Sequence, residues 1–395
     1  MIDVAMALEI VVRHAAARKP EFTTLTAAAL GQVLAADVRS DIDSPPFTKS
    51  MMDGYAIRAA DAASPVELVV IEEVPAGTVP TKCVGVGEAV RIFTGAPMPD
   101  GADAVVMVEK TQSPSPDRVR IDDAFVKPGQ HVLPRGTEMR AGDVVLPRGT
   151  VLTPAAFGVL ASVGMMEFST IPTPHVDILA TGDELVEPTR TPGPGQIRNS
   201  NGPMLFAQTR RAGAIPRYLG IARDTEASLR LKIEEGLTSD VLILAGGVSA
   251  GKLDLVPKVL ADLGVKILFH QVKMKPGKPL LFGTKGDTLV FGLPGNPVSS
   301  YVGFELFVRP ALRLLAGHTD GEMRTRTLPL VAAFAANNNR PTYHPAKLEA
   351  GAVRALPWFG SPDLRGIIAA DAFIVLPPGS VNYPAGQPVE VISVS

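Results

Sequence analysis

Two adjacent carboxylates close an apolar run in Val176-Asp177-Ile178-Leu179-Ala180-Thr181-Gly182-Asp183-Glu184-Leu185. At the end of a strand, such acids can hold Mg2+, which takes one or two carboxylates and completes its shell with substrate phosphate oxygens. Equally, they can be the solvated acids of a turn. A second apolar run, residues 241–245, leads into Gly246-Gly247-Val248-Ser249-Ala250-Gly251-Lys252-Leu253-Asp254. Residues 246–252 satisfy G-x-x-x-x-G-K, but Leu253 stands where a nucleotide P-loop needs Ser or Thr to ligate Mg2+, so the standard P-loop is rejected. What survives is a glycine-rich strand-to-helix turn whose free N–H groups and helix dipole can cradle a phosphate. Asp254 either serves that ligand or simply caps the next helix. Lys273-Met274-Lys275-Pro276-Gly277-Lys278-Pro279 places three cations in a stretch whose prolines deny a helix. It is either a solvated basic turn or a loop that presents Lys275 and Lys278 to an anion with little backbone entropy left to lose. In Gly292-Leu293-Pro294-Gly295-Asn296-Pro297-Val298, Asn296 reads as an N-cap and Pro297 as the first helical residue, and the exposed N–H groups there also suit an anion.

These clusters need a scaffold that brings loop ends together. From residue 172 the pattern alternates: apolar runs at 176–180, 215–219, 241–245, 265–271 and 289–293, with helices expected at 201–212, 225–235, 255–263 and 298–315. Continuous apolar strands alternating with helices predict a parallel, doubly wound α/β sheet whose ligand lies beyond the strands' carboxyl ends, where all four clusters fall. Upstream, residues 2–18 and 24–36 read as amphipathic helices, and from Ser44 the texture changes to short runs at 67–72, 89–93, 104–109 and 118–121, a β-rich domain. A helix is expected over 154–162, and strands return at 327–332, 372–376 and 389–394. In the β-rich part, Pro45-Pro46-Phe47-Thr48-Lys49-Ser50-Met51-Met52-Asp53-Gly54-Tyr55-Ala56 and Ile92-Phe93-Thr94-Gly95-Ala96-Pro97 read as loops, with Asp53-Gly54 a common turn pair.

The 395 residues argue for about two or three domains, and 46% hydrophobic with 20% charged residues gives apolar material for several cores. The 37 glycines and 36 prolines disfavour coiled coils and long bundles. With 38 Lys and Arg against 40 Asp and Glu there is no basic field for nucleic acid, so any bound anion is small and held locally. The single cysteine, Cys83, makes no intrachain disulfide and no thiolate metal site, which suits a reducing compartment, and the six histidines lack the spacing of a zinc site. No apolar run reaches the ~20 residues of a membrane span, and the N-terminus reads as a helix instead of a signal peptide, so a cytoplasmic location and no membrane partner are expected. No Gly-x-Ser-x-Gly elbow supports acyl hydrolysis. The residues alone therefore predict an α/β domain that binds a phosphorylated, nucleotide-like ligand, with a divalent ion between Glu184, Asp254 and phosphate oxygens.

In order along the chain, Ser50-Met51-Met52-Asp53-Gly54-Tyr55-Ala56, Thr94-Gly95-Ala96-Pro97 with Asp103-Ala104-Val105-Val106, Thr181-Gly182-Asp183-Glu184-Leu185, Ser200-Asn201, Gly246-Gly247-Val248-Ser249-Ala250-Gly251, Lys275-Pro276-Gly277-Lys278-Pro279 and Gly292-Leu293-Pro294-Gly295-Asn296-Pro297 resemble the MoeA family, the molybdopterin molybdenumtransferases related to the E domain of gephyrin. The resemblance runs from about residue 4 to 320 and more loosely to the end. It implies an elongated four-part subunit: a discontinuous domain I (1–44 with 126–171), an inserted β-rich domain II (45–125), a doubly wound MogA-like α/β domain III (172–320) that binds molybdopterin, and a C-terminal β barrel, domain IV (321–395). It also implies a homodimer, with a molybdopterin adenylyltransferase as an upstream partner.

The family's reaction takes adenylylated molybdopterin and molybdate as substrates, inserts molybdenum at the dithiolene sulfurs and releases AMP in a Mg2+-dependent step. Carried over by position, Glu184 and Asp254 would bind Mg2+ and orient the phosphates, with Asp224 a further acid. Lys275 and Lys278 would neutralise the diphosphate, with Lys273 beside them. Gly246, Gly247, Ser249 and Gly251 would line the ligand loop, Pro294 and Pro297 would shape the pterin pocket, and Ser361 would contribute from domain IV. Asp53 and Thr94 would reach the cleft of the other subunit. A non-catalytic carrier of the finished cofactor and a gephyrin-like scaffold are the rival readings. The chain departs from the family pattern at Thr48-Lys49, where Asp-Asn is usual, at Pro341-Thr342-Tyr343-His344, which replaces a basic segment, and at Arg365, which stands for a small hydroxyl residue in Gly360-Ser361-Pro362-Asp363-Leu364-Arg365-Gly366.

Overall fold

Strands that are apolar along their whole length must be covered on both faces, and the central segment of the chain builds that arrangement. In the computed structural model, which describes residues 1–63, 65–248, 255–319 and 325–394, the segment gives β1 (His175–Thr181), α1 (Asn201–Arg211), β2 (Ile215–Ala222), α2 (Glu226–Gly236), β3 (Val241–Ala245), α3 (Val256–Asp262), β4 (Lys266–Phe269), β5 (Leu281–Lys285), β6 (Thr288–Leu293) and α4 (Pro297–Gly303). The sheet order is β2-β1-β3-β6-β5-β4. β2, β1, β3 and β6 run parallel, with Ala180 level with Ala245 and Ala245 level with Leu293, so three strand ends reach the same rim.

Two expectations about this sheet need correction. It is mixed, not all parallel: β5 is a strand that periodicity alone did not single out, and it pairs antiparallel with β6. The cause is local, because only Gly286-Asp287 separate the two strands, too short a link for a crossover. The helix expected over 298–315 is helical throughout, but Phe304–Val308 is a π-helical turn between α4 and a last α-helical stretch, Arg309–Leu315. Its buried Glu305 is hydrogen-bonded by Gln208 Nε2 at 2.7 Å and ion-paired with Arg211 and Arg309, which offsets the cost of taking a carboxylate out of water.

The chain forms two compact units, residues 1–35 with 169–395, and residues 36–168. In the first, Phe269, Phe282 and Phe291 pack ring against ring at centroid separations of 5.6 and 4.9 Å, each burial worth roughly 1.5–3 kcal/mol. The N-terminal helix Val4–His14 places Ala7 and Val11 in that core. Residues 24–36 are not the helix that their apolar spacing suggested. They give the end of a strand, Glu21–Thr24, a single 3-10 turn at Ala27–Ala29, and the strand Val33–Leu34, which pairs with Glu167–Ile171 at Thr170 and Ile171. β-Branched Thr23, Thr24 and Thr26 favour extension, and Gly31, at φ +82°, ends any helical run. The C-terminal part is a five-stranded sheet ordered Thr325–Pro329, Pro388–Ser393, Ala372–Leu376, Thr342–Glu349, Ala352–Ala355, with a two-stranded pair, Phe334–Asn338 and Gly379–Tyr383. Its Tyr343, Phe373 and Ile392 are buried in the same core as α4, and Tyr301 meets Phe373 edge-on at 6.0 Å.

The second unit centres on a six-stranded sheet ordered Ala104–Met107, Gly54–Ile57, Glu88–Ile92, Val66–Val74, Arg118–Ile121, Thr111–Ser115. Pro154–Ser162 is a helix as expected, capped by Thr153, whose hydroxyl accepts from Ala156 N at 3.3 Å. Among the described residues, no helix is long and apolar enough to cross a membrane.

Candidate active site

The rim is built where β1, β3 and β6 end. The chain turns sharply after β3 at Gly246, φ +101°, and a Cβ there would stand 2.4 Å from the carbonyl oxygen of Thr181, the last residue of β1. Gly247, φ +63°, would place a Cβ 2.7 Å from Thr181 Oγ1. Only glycine allows this approach, which draws the turn against β1. Gly246 N donates to Leu293 O at 3.0 Å, so the three strand ends are stapled together. Thr181 is 2% exposed, and its hydroxyl has no partner among the described residues.

Past Thr181 the chain exposes Asp183 and Glu184. Asp183 Oδ1 accepts from Asp224 N at 3.2 Å, and Asp183 O from Arg223 Nη1 at 3.0 Å, which brings Asp224 to the same corner. Asp224 lies one residue before Thr225, whose hydroxyl caps α2 by accepting from Ser228 N at 3.3 Å. The carboxylate of Glu184 makes no hydrogen bond or ion pair with a described residue, whereas its carbonyl accepts from Ile197 N at 2.8 Å. Ser249, Gly251 and Asp254 lie outside the described residues.

At the end of β6, buried Pro294 accepts a hydrogen bond from Ser300 Oγ, and half-buried Pro297 starts α4. Asn296 occupies the N-cap position, but its side chain does not cap: Nδ2 donates to Ser361 Oγ at 3.1 Å. The competing partner won because Ser361 is also fixed by its carbonyl, which accepts from Val298 N at 3.1 Å. Ser361 thus reaches the rim from the C-terminal part.

The lysine loop packs against α4. Gly277 packs so that a Cβ would meet Ser299 O at 3.5 Å. Lys275 is pinned on both backbone sides, its N–H donating to Pro341 O and its carbonyl accepting from Tyr343 N, each at 2.8 Å. The side chain of Lys275 is half-buried and those of Lys273 and Lys278 are exposed, and none pairs with a described carboxylate. Beside Lys275, burial and that lysine's charge hold the His344 imidazole below the ordinary histidine range, its Nε2 lying 2.9 Å from Leu356 O.

Sequence reasoning gave no role to the amides under the rim. Asn201 Nδ2 donates to Gly295 O at 2.8 Å, and Asn199 links Gly202 N (3.0 Å) to the Tyr218 hydroxyl (2.7 Å). Burial, with Glu187 close by, pushes the Tyr218 phenol up to about 12, so it remains protonated and donates to Glu187 at 3.2 Å. The available signal was Asn199-Ser200-Asn201-Gly202-Pro203, two amides at a helix start where one cap suffices.

In the 36–168 unit, Asp53 and Thr94 come together across 41 residues of sequence. Asp53 Oδ1 accepts from both Thr94 N and Thr94 Oγ1 at 2.7 Å, and these bonds lower the Asp53 pKa. Gly54 is obligatory, since a Cβ would fall 1.9 Å from Val106 O. Met51 and Met52 are exposed beside the pair.

Among the described residues no three His, Cys, Asp or Glu side chains gather to hold a metal ion. The Glu184 carboxylate, unpaired among the described residues, and its acidic neighbour Asp183 still fit a hard cation that takes one or two carboxylates and draws its remaining ligands from elsewhere.

The central domain is a doubly wound α/β sheet with glycine turns and an acid, unpaired among the described residues, at the rim of its parallel strands. Residues 2–164 match the MoeA N-terminal region (domain I and II), 177–314 the probable molybdopterin binding domain, and 327–394 the MoeA C-terminal region (domain IV). The molybdopterin molybdenumtransferase of Bacillus subtilis is 36% identical over 380 residues, covering 92% of this chain and 87% of the relative. Molybdopterin molybdenumtransferase 2 of Mycobacterium tuberculosis is 36% identical over 378 residues, 92% of each. The crystal structure of a molybdopterin biosynthesis MoeA protein from Pyrococcus horikoshii superposes with a TM-score of 0.84 at 30% identity over 100% of both chains. The chain belongs to the MoeA family of molybdopterin molybdenumtransferases.

Proposed function

We propose that this chain, an enzyme of molybdenum cofactor biosynthesis, inserts molybdate into adenylylated molybdopterin in a Mg2+-dependent step that releases AMP. Membership in the family supports the transferase activity, and the rim supports the finer reading. The observation that carries it is the stapling of the Gly246-Gly247 turn against Thr181, opposite a lysine loop packed on α4. On this reading the amides of the turn, the ammonium groups of the lysine loop and the Glu184 carboxylate serve one ligand, the inventory a diphosphate with its counterion requires.

Glu184 and Asp254 would hold Mg2+, which when bound neutralises phosphate charge. Lys275 and Lys278 bind the diphosphate and stabilise the negative charge that gathers on AMP as the P–O–P link breaks. Lys273 adds to the field. The turn at Gly246 and Gly247, together with Ser249 and Gly251, orients the phosphates, and Pro294, Pro297 and Ser361 shape the pterin side. Asp224 holds the Asp183 corner. The reading carries with it the four-part division at 44, 125, 171 and 320, and a homodimer in which Asp53 and Thr94 serve the partner's cleft.

Incubation with adenylylated molybdopterin, Mg2+ and molybdate tests this by AMP release and by reconstitution of an apo-molybdoenzyme. Glu184→Ala and Asp254→Ala should each abolish both signals with unchanged circular dichroism. Full activity in both variants removes those roles, and tight binding without turnover selects the carrier reading.

A further inference from the structure

The arm that carries Glu184 leaves β1 after Thr181 and is tied at both of its ends to the neighbouring strand, β2. At the start, Gly182 N donates to Ala222 O at 3.3 Å. Asp183 follows, its carbonyl accepting from Arg223 Nη1 at 3.0 Å and its carboxylate from Asp224 N at 3.2 Å. At the other end, the carboxylate of half-buried Glu187 accepts from the hydroxyl of Tyr218, in the middle of β2, at 3.2 and 3.4 Å. Between these ties, Leu185–Val186 pairs in parallel with Ile197–Arg198, so Glu184 O accepts from Ile197 N at 2.8 Å and Val186 O from Asn199 N at 2.9 Å. The Glu184 carboxylate folds back over the exit of β1, where a Cβ on Gly182 would fall 2.6 Å from its Oε2.

The Tyr218 hydroxyl is the junction of this frame. It donates to Glu187 and accepts from Asn199 Nδ2 at 2.7 Å. Asn199, 2% exposed, uses its Oδ1 to accept from Gly202 N at 3.0 Å in the first turn of α1. A Cβ on Gly202 would lie 2.8 Å from both Asn199 Nδ2 and Tyr218 Cε2, so glycine is what lets the three groups close up. One O–H therefore fastens both the arm and the strand paired with it to the edge of the sheet. A hard cation that takes only one or two carboxylates from the protein depends on how firmly each is aimed, because a mobile side chain must be ordered when the ion binds. We propose that Tyr218 is a positioning residue for Glu184: through Glu187 and Asn199 its hydroxyl holds the 183–187 arm, and with it the direction in which the Glu184 carboxylate meets a divalent cation. The assignment rests on the reading of Glu184 as a Mg2+ ligand.

Mn2+ titrated into the full-length protein, with the free ion followed by electron paramagnetic resonance, tests this without turnover. Tyr218→Phe and Glu187→Ala should each raise the Mn2+ dissociation constant ~10-fold, whereas Glu187→Gln, which keeps an acceptor for the hydroxyl, should stay within about twofold of wild type. In hydrogen exchange read by mass spectrometry, segment 184–199 should exchange faster in Tyr218→Phe and Glu187→Ala while 241–245 stays as protected as in wild type. In steady-state insertion, the same two variants should need more Mg2+ for half-maximal rate at an unchanged KM for molybdate. Wild-type Mn2+ affinity in both variants, with affinity lost in Glu184→Ala, overturns the positioning role and leaves the metal reading standing. Wild-type affinity in Glu184→Ala sinks the metal reading, and the proposal with it. Exchange that rises equally in 184–199 and 241–245 assigns the hydroxyl to general stability and overturns the proposal. So does a Glu187→Gln variant as weak for Mn2+ as Glu187→Ala, since the charge of Glu187 and not its hydrogen bond would then be at work.

Discussion

Gly246→Ala probes the rim most directly. The new methyl would sit 2.4 Å from Thr181 O and 3.1 Å from Thr181 Oγ1, in a residue held at φ +101°. Neither side can retreat, because Thr181 is in register with Ala222 of β2 and Gly246 N is bonded to Leu293 O. The positive φ costs an L-residue roughly 1–2 kcal/mol, and forcing an extra methyl into a packed site adds roughly 1–3 kcal/mol, so the total is about 2–5 kcal/mol. Gly264→Ala is the control: Gly264 has φ +81° at the end of α3 with nothing within 4 Å of its would-be Cβ, so it should lose only the backbone part, about 1–2 kcal/mol. Urea unfolding followed by Trp358 fluorescence reads the difference. Gly246→Ala should also lose AMP release under conditions where it remains folded, whereas Gly264→Ala should keep it. Equal stability losses would refute the close approach of the turn to β1, and with it the geometry assigned to the rim.

Thr94→Val removes one of the two bonds that depress the Asp53 pKa but leaves the Thr94 amide, so the Asp53 titration observed by carboxyl carbon NMR should move up and still remain below an ordinary aspartate; no movement would contradict the side-chain bond. His344 has its folded pKa lowered, so below the ordinary value of about 6.5 the unfolded chain binds the additional proton and folding stability falls as pH drops. His344→Gln should flatten that dependence between pH 7 and 5 in urea titrations, and an unchanged slope would show that the imidazole charges freely in the fold.

Legibility differed between parts of the chain for identifiable reasons. The run 241–245 announced a buried strand because both faces of the central sheet are covered, which leaves it no polar position, and 176–180 departs from that only at Asp177, which Arg217 pairs through two hydrogen bonds. β5 was missed since its Leu281-Phe282-Gly283-Thr284-Lys285 reads as weakly apolar beside the prolines that precede it, and the tight turn that fixes its direction is only two residues long. Residues 24–36 carried helical spacing, but their fate was settled by pairing with Thr170 and Ile171, more than a hundred residues away.

The same division holds at the site. Glycines 246 and 247, the lysine loop and the acids at 183 and 184 were readable because each is a short string with its own local cause: a turn, a proline-fixed loop, a strand end. Which of these strings would touch was not. The Asn296 side chain was assigned to its own helix until Ser361 offered a second partner, and Asn201 earned a role only once Gly295 lay beside it. Asp53 and Thr94 likewise become a pair only when two loops of one sheet converge. Sequence by itself determined the type of element and the chemistry each loop carries, because propensity, turn chemistry and charge are local properties. Tertiary structure decided the partners, since a hydrogen bond goes to whichever acceptor packing brings within 3 Å, and that competition is decided among residues distant along the chain.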